Sequence, residues 1–223
     1  MSQPDPVRGR PAAIVALVAM AYFAVAAVAT HIASPQYDFV RNYISDYAIG
    51  PLGWIYASAF LASCVSCLAL ALALWQALRP EGLSRAGVAL LGIVGITYVV
   101  DFFFPTDLLA PGEPPRTMTG EVHFAAAGLG WLLFVASAFL ITARLRHDPH
   151  LARWQATLLA LAWLAVALLV ALIAVTVTRQ PYGGLVEKAF ILDRNAWALV
   201  LVVGLLQAPW AAPPSVRLAA GKP

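Results

Sequence analysis

The residues best suited to chemistry gather in three stretches. The first, PQYDFVRNYISDYA (35–48), carries Asp38, Arg41, Asn42, Ser45 and Asp46. On a helix these five polar groups share one arc and the aromatic and aliphatic residues the other. A guanidinium there matches the geometry of a phosphate head group, and a carboxylate beside a hydroxyl can exchange protons with a bound ligand. The second stretch is TYVVDFFFPTD (97–107), in which Asp101 lies one turn inside an apolar run. An ionisable group at that depth is costly and faces protein or water, not lipid. The third is TMTGEVH (117–123), where His123 falls one turn below Thr119 on the same helical face. An imidazole with a neighbouring carboxylate is an acid–base pair. Farther on, GGLVEKAFILDRN (183–195) places Glu187 and Arg194 two turns apart on one face. Asp46, Asp101, His123 and Ser45 are therefore the candidate catalytic residues. Asp38, Arg41, Thr119, Glu187 and Arg194 are the candidate substrate-binding residues. No spacing typical of metal ligands occurs, so no residue is assigned to a metal, and the residues name no cofactor.

Each assignment has a plainer counterpart. Asp101 pairing with Arg41 or Arg194 would only lock helices together. His123 would be a hydrogen-bonded packing residue beside the small Ala126, Ala127 and Gly130. Asp107 would be a turn or cap residue. Cys64 and Cys67, in the middle of an apolar run, read as packing residues.

The elements that must position these groups follow from composition. The chain has 223 residues, of which 61% are apolar and 11% charged, and its mean hydropathy is +0.80. Soluble domains carry about 25% charged residues, so this chain cannot cover a water-facing surface. Nor can it be disordered, since disorder needs low hydrophobicity and high charge. The class that remains is an all-α polytopic membrane protein. Continuous runs rich in Ala, Leu and Val give a six-helix bundle with spans at about 12–33, 53–78, 86–104, 121–143, 154–178 and 185–210. Residues 1–223 form one membrane domain, and 211–223 a cytoplasmic tail. The segment 35–48 is expected as an amphipathic interfacial helix in the first outer loop, with Ser34 as cap and Gly50-Pro51 as stop.

Direction follows from the connections. The two ends and the loops 79–85 and 144–153 hold nine basic residues and three acids, whereas the opposite side holds five basic residues and eight acids. The basic side is expected to be cytoplasmic. This makes a multi-pass protein of the cell membrane with both termini inside. Arg8 and Arg10 before the first run also resemble a signal peptide, but that run is long for one, and an uncleaved first span is expected. The net charge of +3, with scattered arginines, predicts no nucleic-acid partner.

The segments YDFVRNYISDYAIGPLGW, FFPTDLLAPGEPPRTMTGEVHFAAAGLGW and GGLVEKAFI resemble the bacterial and archaeal membrane proteins catalogued as domain of unknown function 998. The resemblance covers nearly the whole chain. The matching positions are Asp38, Arg41, Ser45, Asp46, Pro105, Thr106, Asp107, Gly120 and His123, with Asp46 standing where the family pattern more often has Glu. The resemblance implies six spans and this choice of residues, but no reaction.

Polar residues thus crowd one end of the bundle. The function expected is a membrane enzyme acting on a membrane lipid or an isoprenoid-like apolar substrate through Asp/His acid–base chemistry. Two alternatives stand beside it. A small transporter or proton-coupled carrier would need a polar path through the membrane, and the inner halves of the spans are poor in such groups. A structural or sensory protein would close the outer charges into ion pairs with no cavity.

Overall fold

The computed structural model describes residues 6–109 and 113–207. The tail expected at 211–223 lies outside the described residues. Six α-helices follow one another: α1 (Pro6–Ala33), α2 (Gly53–Ala77), α3 (Arg85–Phe103), α4 (Met118–Leu145), α5 (Gln155–Val177) and α6 (Gly183–Leu206). No strand occurs among the described residues. All six helices are long and apolar enough to cross a membrane; each overlaps one span read from the sequence, α1 beginning earlier, at Pro6, and α6 ending earlier, at Leu206. Large side chains such as Val25, Ile32, Leu192 and Val177 stay exposed around the outside, as expected where lipid is the solvent.

The helices pack in chain order, each against the next, and α6 closes back on α1. One core, built on Leu70, Leu74, Phe134, Ile141, Trp197 and Leu201, fills the half of the bundle that carries the short connections. A second, aromatic core of Phe23, Tyr37, Tyr47, Tyr56 and Phe60 fills the other half, beneath segment 34–52. Some buried polar groups in the first half are bonded within it. Trp197 donates from Nε1 to Thr142 Oγ1 at 3.2 Å, and Ser137 donates to the Gly87 carbonyl at 2.8 Å. Where α3 meets α4, Gly130 leaves room for Thr97, and a Cβ there would collide with the threonine hydroxyl.

Segment 34–52 differs from the expected amphipathic helix. It runs through turns and forms only a short 3-10 helix, Ile44–Ala48. The reason is local competition for backbone donors. Asp38 Oδ1 accepts from the amides of Val40 and Arg41, each at 2.9 Å, and so closes a turn where a helix would begin. The amide of Ile44 is taken by Glu187 Oε2 at 2.6 Å. The face is also not divided into wet and dry sides, because Ile44, Ser45, Asp46 and Tyr47 are all buried.

Candidate functional site

Three connections meet at the end of the bundle that carries the longer loops. The first is strapped to the start of α6. Gly183 and Gly184 allow this: a Cβ on Gly184 would strike the Asn42 carbonyl, and one on Gly183 the Tyr43 hydroxyl. Leu185 donates its amide to the Val40 carbonyl at 2.9 Å. Lys188 donates from Nζ to the carbonyls of Phe39 and Gly184, at 3.1 and 3.3 Å, and to that of Asn42. It also sits over the rings of Phe39 and Tyr47. Glu187 completes the strap through the Ile44 amide.

The second junction joins the α3–α4 connection to α4. Asp107 Oδ2 accepts from the amides of Arg116 and Thr117 at 2.7 and 2.9 Å, and Oδ1 accepts from the Thr117 hydroxyl at 2.8 Å. Thr117 in turn caps α4 by accepting from the Gly120 amide at 3.0 Å. A Cβ on Gly120 would fall on the Asp107 carboxylate. Those amides, Thr117 first, hold the Asp107 carboxyl below the ordinary carboxylate range.

Between these junctions, Asp101 and His123 come together. They are 3% and 5% exposed. His123 Nδ1 lies 2.9 Å from the Phe104 carbonyl, which α3 leaves without a helical partner as it ends. A carbonyl can only accept, so Nδ1 carries the proton, and Nε2 presents a lone pair. Asp101 Oδ1 is 3.7 Å from the same Nδ1, too far for a hydrogen bond. That oxygen has no hydrogen-bond partner.

Two cavities reach His123, and the smaller also reaches Asp101. The smaller, about 30 Å³, is bounded by Ser45, Tyr56, Asp101, His123, Glu187 and Arg194 among others, and has room for about one or two waters. The larger is a cleft of about 330 Å³ beside α4 and α5. Its walls include Phe124, Leu132, Ile173 and Val177, side chains that are exposed on the outside of the bundle. The cleft therefore opens sideways, where acyl chains would lie. Ser45, His123, Ala127, Trp131 and Glu187 border both cavities.

Arg194 is 7% exposed and stacks on Tyr98 and Phe23, with ring centroids 4.9 and 5.8 Å from its Cζ. Its Nη1 has no hydrogen-bond partner, and Nη2 reaches only Asn195 Oδ1 at 3.4 Å. No carboxylate lies within ion-pair distance of it among the described residues. The locking pair of Asp101 with Arg41 or Arg194 does not form.

The structure thus brings Ser45, Asp101, His123, Glu187 and Arg194 to one pair of cavities. It does not bring Asp38, Arg41 or Thr119 there. Asp38 is an exposed turn residue whose carboxyl is held low by the Arg41 and Val40 amides. Arg41 is exposed. Thr119 is exposed and shares a hydrogen bond with Thr117 at 2.8 Å. Asp46 is buried beneath the strap and accepts from Asn42 Nδ2 at 2.9 Å, and burial pushes its pKa up to about 6. His31 bonds the Tyr47 hydroxyl at 2.7 Å and belongs to the aromatic core. Among the described residues no group of three His, Cys, Asp or Glu side chains is placed to hold a metal. The two cysteines are free thiols.

Lys188, Asn42 and Trp131 have no assigned role in the sequence reading. The signal for Lys188 was its place four residues after Gly184, one helical turn on, where a long cation can reach back over the loop that the glycine admits. Asp193, buried with neither carboxylate oxygen bonded, was also given no role.

Fold and cavities define a multi-pass membrane protein, an α-helical bundle with acid–base side chains buried near one end. The chain belongs to the family described as "Protein of unknown function (DUF998)", whose model matches residues 17–204. No curated protein and no solved structure matches the chain.

Proposed function

We propose that this protein is an integral membrane enzyme that draws a lipid or isoprenoid sideways from the bilayer and transfers a proton at its head group. The observation that carries the reading is the sideways apolar cleft whose closed end is made by Ser45, His123 and Glu187. Ligand sites are mostly apolar clefts of about 300–1,000 Å³ with a few convergent polar groups, and this one has both features. His123 is the acid–base group, acting through Nε2. Asp101 stabilises the ring when it holds a second proton, as a buried carboxylate beside Nδ1 does. Ser45 and Glu187 contact the polar end of the substrate. The excess of basic residues at the opposite end of the bundle supports a site on the outer leaflet of the cell membrane, with both termini in the cytoplasm.

The test replaces Asp101 with Asn and His123 with Ala in cells lacking the native gene, and compares membrane lipids by mass spectrometry. Both variants are expected to accumulate in the membrane at wild-type levels and to leave the lipid profile of the deletion strain uncorrected. Wild-type lipid composition in both variants would overturn the reading.

A further inference from the structure

We infer that the cleft selects an uncharged lipid with a hydroxyl head group and rejects one carrying phosphate, because every ionisable side chain lining it is an acid or His123. The inference rests on the proposed lipid-binding reading and narrows its substrate class. The polar residues around the cleft are Tyr43, Ser45, Thr106, Asp107, Glu113, His123, Thr176 and Glu187, and among the described residues no Lys or Arg lines it. The other cations at this end stand outside that lining, Arg179 among them as an exposed residue. Lys188 is spread over three backbone carbonyls. Arg116 pairs with Glu113. Arg41 faces solvent. Arg194 lies in the smaller cavity, where about 30 Å³ admits water but not a phosphate group.

The hydrogen-bonding capacity at the closed end points the same way. His123 Nδ1 is occupied by the Phe104 carbonyl, so the imidazole offers an acceptor at Nε2. Glu187 offers carboxylate oxygens, one of which already takes the Ile44 amide. Ser45 adds a hydroxyl that can donate or accept. An alcohol O–H can donate to Nε2 and is neutral, while a phosphate dianion has no proton to give Nε2 and brings like charge towards Asp107, whose carboxyl is held below the ordinary range. Like-charge juxtaposition in a partly desolvated site is strongly discriminating.

The experiment uses the full-length protein in nonionic detergent and two probes with one chain, farnesol and farnesyl phosphate. Binding is read as the concentration-dependent rise in melting temperature. Farnesol is expected to bind, and farnesyl phosphate to bind at least about tenfold more weakly. Gly128 borders the cleft, and a Cβ there meets nothing within 4 Å, so Gly128→Phe is the variant chosen to fill the cleft. It is expected to abolish farnesol binding. Glu187→Gln keeps an acceptor for the Ile44 amide and removes the charge, and should narrow the preference several-fold. Equal or tighter binding of farnesyl phosphate, blocked by Gly128→Phe, would overturn the head-group inference and leave the cleft reading standing. Binding of neither probe, or binding of both that Gly128→Phe leaves untouched, would overturn the cleft reading as well.

Discussion

Asp46 offers the sharpest test of how the first loop is held. Its side chain is 2% exposed, it accepts from Asn42 Nδ2 at 2.9 Å, and burial moves its pKa from the ordinary 3.8 to about 6. A raised carboxyl pKa in the folded state means that the folded chain keeps a proton which the unfolded chain releases. Below pH 3.8 both states are protonated and no penalty exists. Between 3.8 and about 6 stability falls as pH rises, and above that window the full penalty applies. At about 1.4 kcal/mol per pH unit, the penalty at pH 7 is about 3 kcal/mol. Asp46→Asn cannot ionise and still accepts from Asn42. The variant should therefore match the wild type near pH 4 and exceed it by about 3 kcal/mol at pH 7, or roughly 5–10 °C in melting temperature. The assay is thermal unfolding of both proteins in mild detergent across that range. A difference that stays flat with pH, or a wild type that gains on the variant as pH rises, would refute the reasoning. It would show the carboxylate held ionised, with Lys188 as the nearby cation that could do so.

The junctions give further expectations. Gly184→Ala drives a methyl into the Asn42 carbonyl, so the strap must lift, at a cost of about 1–3 kcal/mol. Limited proteolysis should then cut within 35–44 faster than in the wild type. Lys188→Met removes the donor shared by three carbonyls and should lower the melting temperature by an amount matching about 1–3 kcal/mol, with the same loop becoming protease-sensitive. The Asp107 contribution, whose carboxyl is held below its ordinary 3.8, is present above that value and lost as pH falls through the lower folded one. Asp107→Ala should accordingly flatten the acid side of the melting profile. Gly120→Ala pushes on the same carboxylate and should speed amide exchange at Arg116 and Thr117.

How far the sequence revealed this arrangement depends on which force fixes each part. The six spans were legible because hydrocarbon thickness imposes length and composition on any helix that crosses it. The meeting of Asp101 with His123 was partly legible, since both are ionisable groups one turn inside apolar runs on elements joined by a single connection. The first loop was not. Its helical periodicity is real, but Asp38 and Glu187 remove the amides that a helix would use, and Glu187 is a partner 143 residues from Ile44 in the chain. No local pattern carries that information. Gly183-Gly184 is by type a flexible entry to α6, whereas the pair is a close-packed contact whose reason lies in a distant loop. Arg41 looked fit for a phosphate from its side-chain chemistry alone, and exposure removes it from the cavities.

Spent and unspent hydrogen-bonding capacity separates scaffold from site at this end of the bundle. Asp38, Asp107 and Lys188 are charged, yet each is engaged by several backbone groups, so each fixes a loop and has little left for a ligand. Asp101 and Arg194 are more deeply buried and have atoms with no partner, and His123 keeps Nε2 free through the tautomer that Phe104 imposes. Unsatisfied polar groups in an apolar interior cost free energy, and a bundle needing only mechanical stability would do better with leucine at those positions. Around two adjoining cavities of about 330 and 30 Å³, the proposed function gives that cost a use: the cleft would deliver a head group to His123, with Asp101 and Arg194 beside the solvent-sized void behind it.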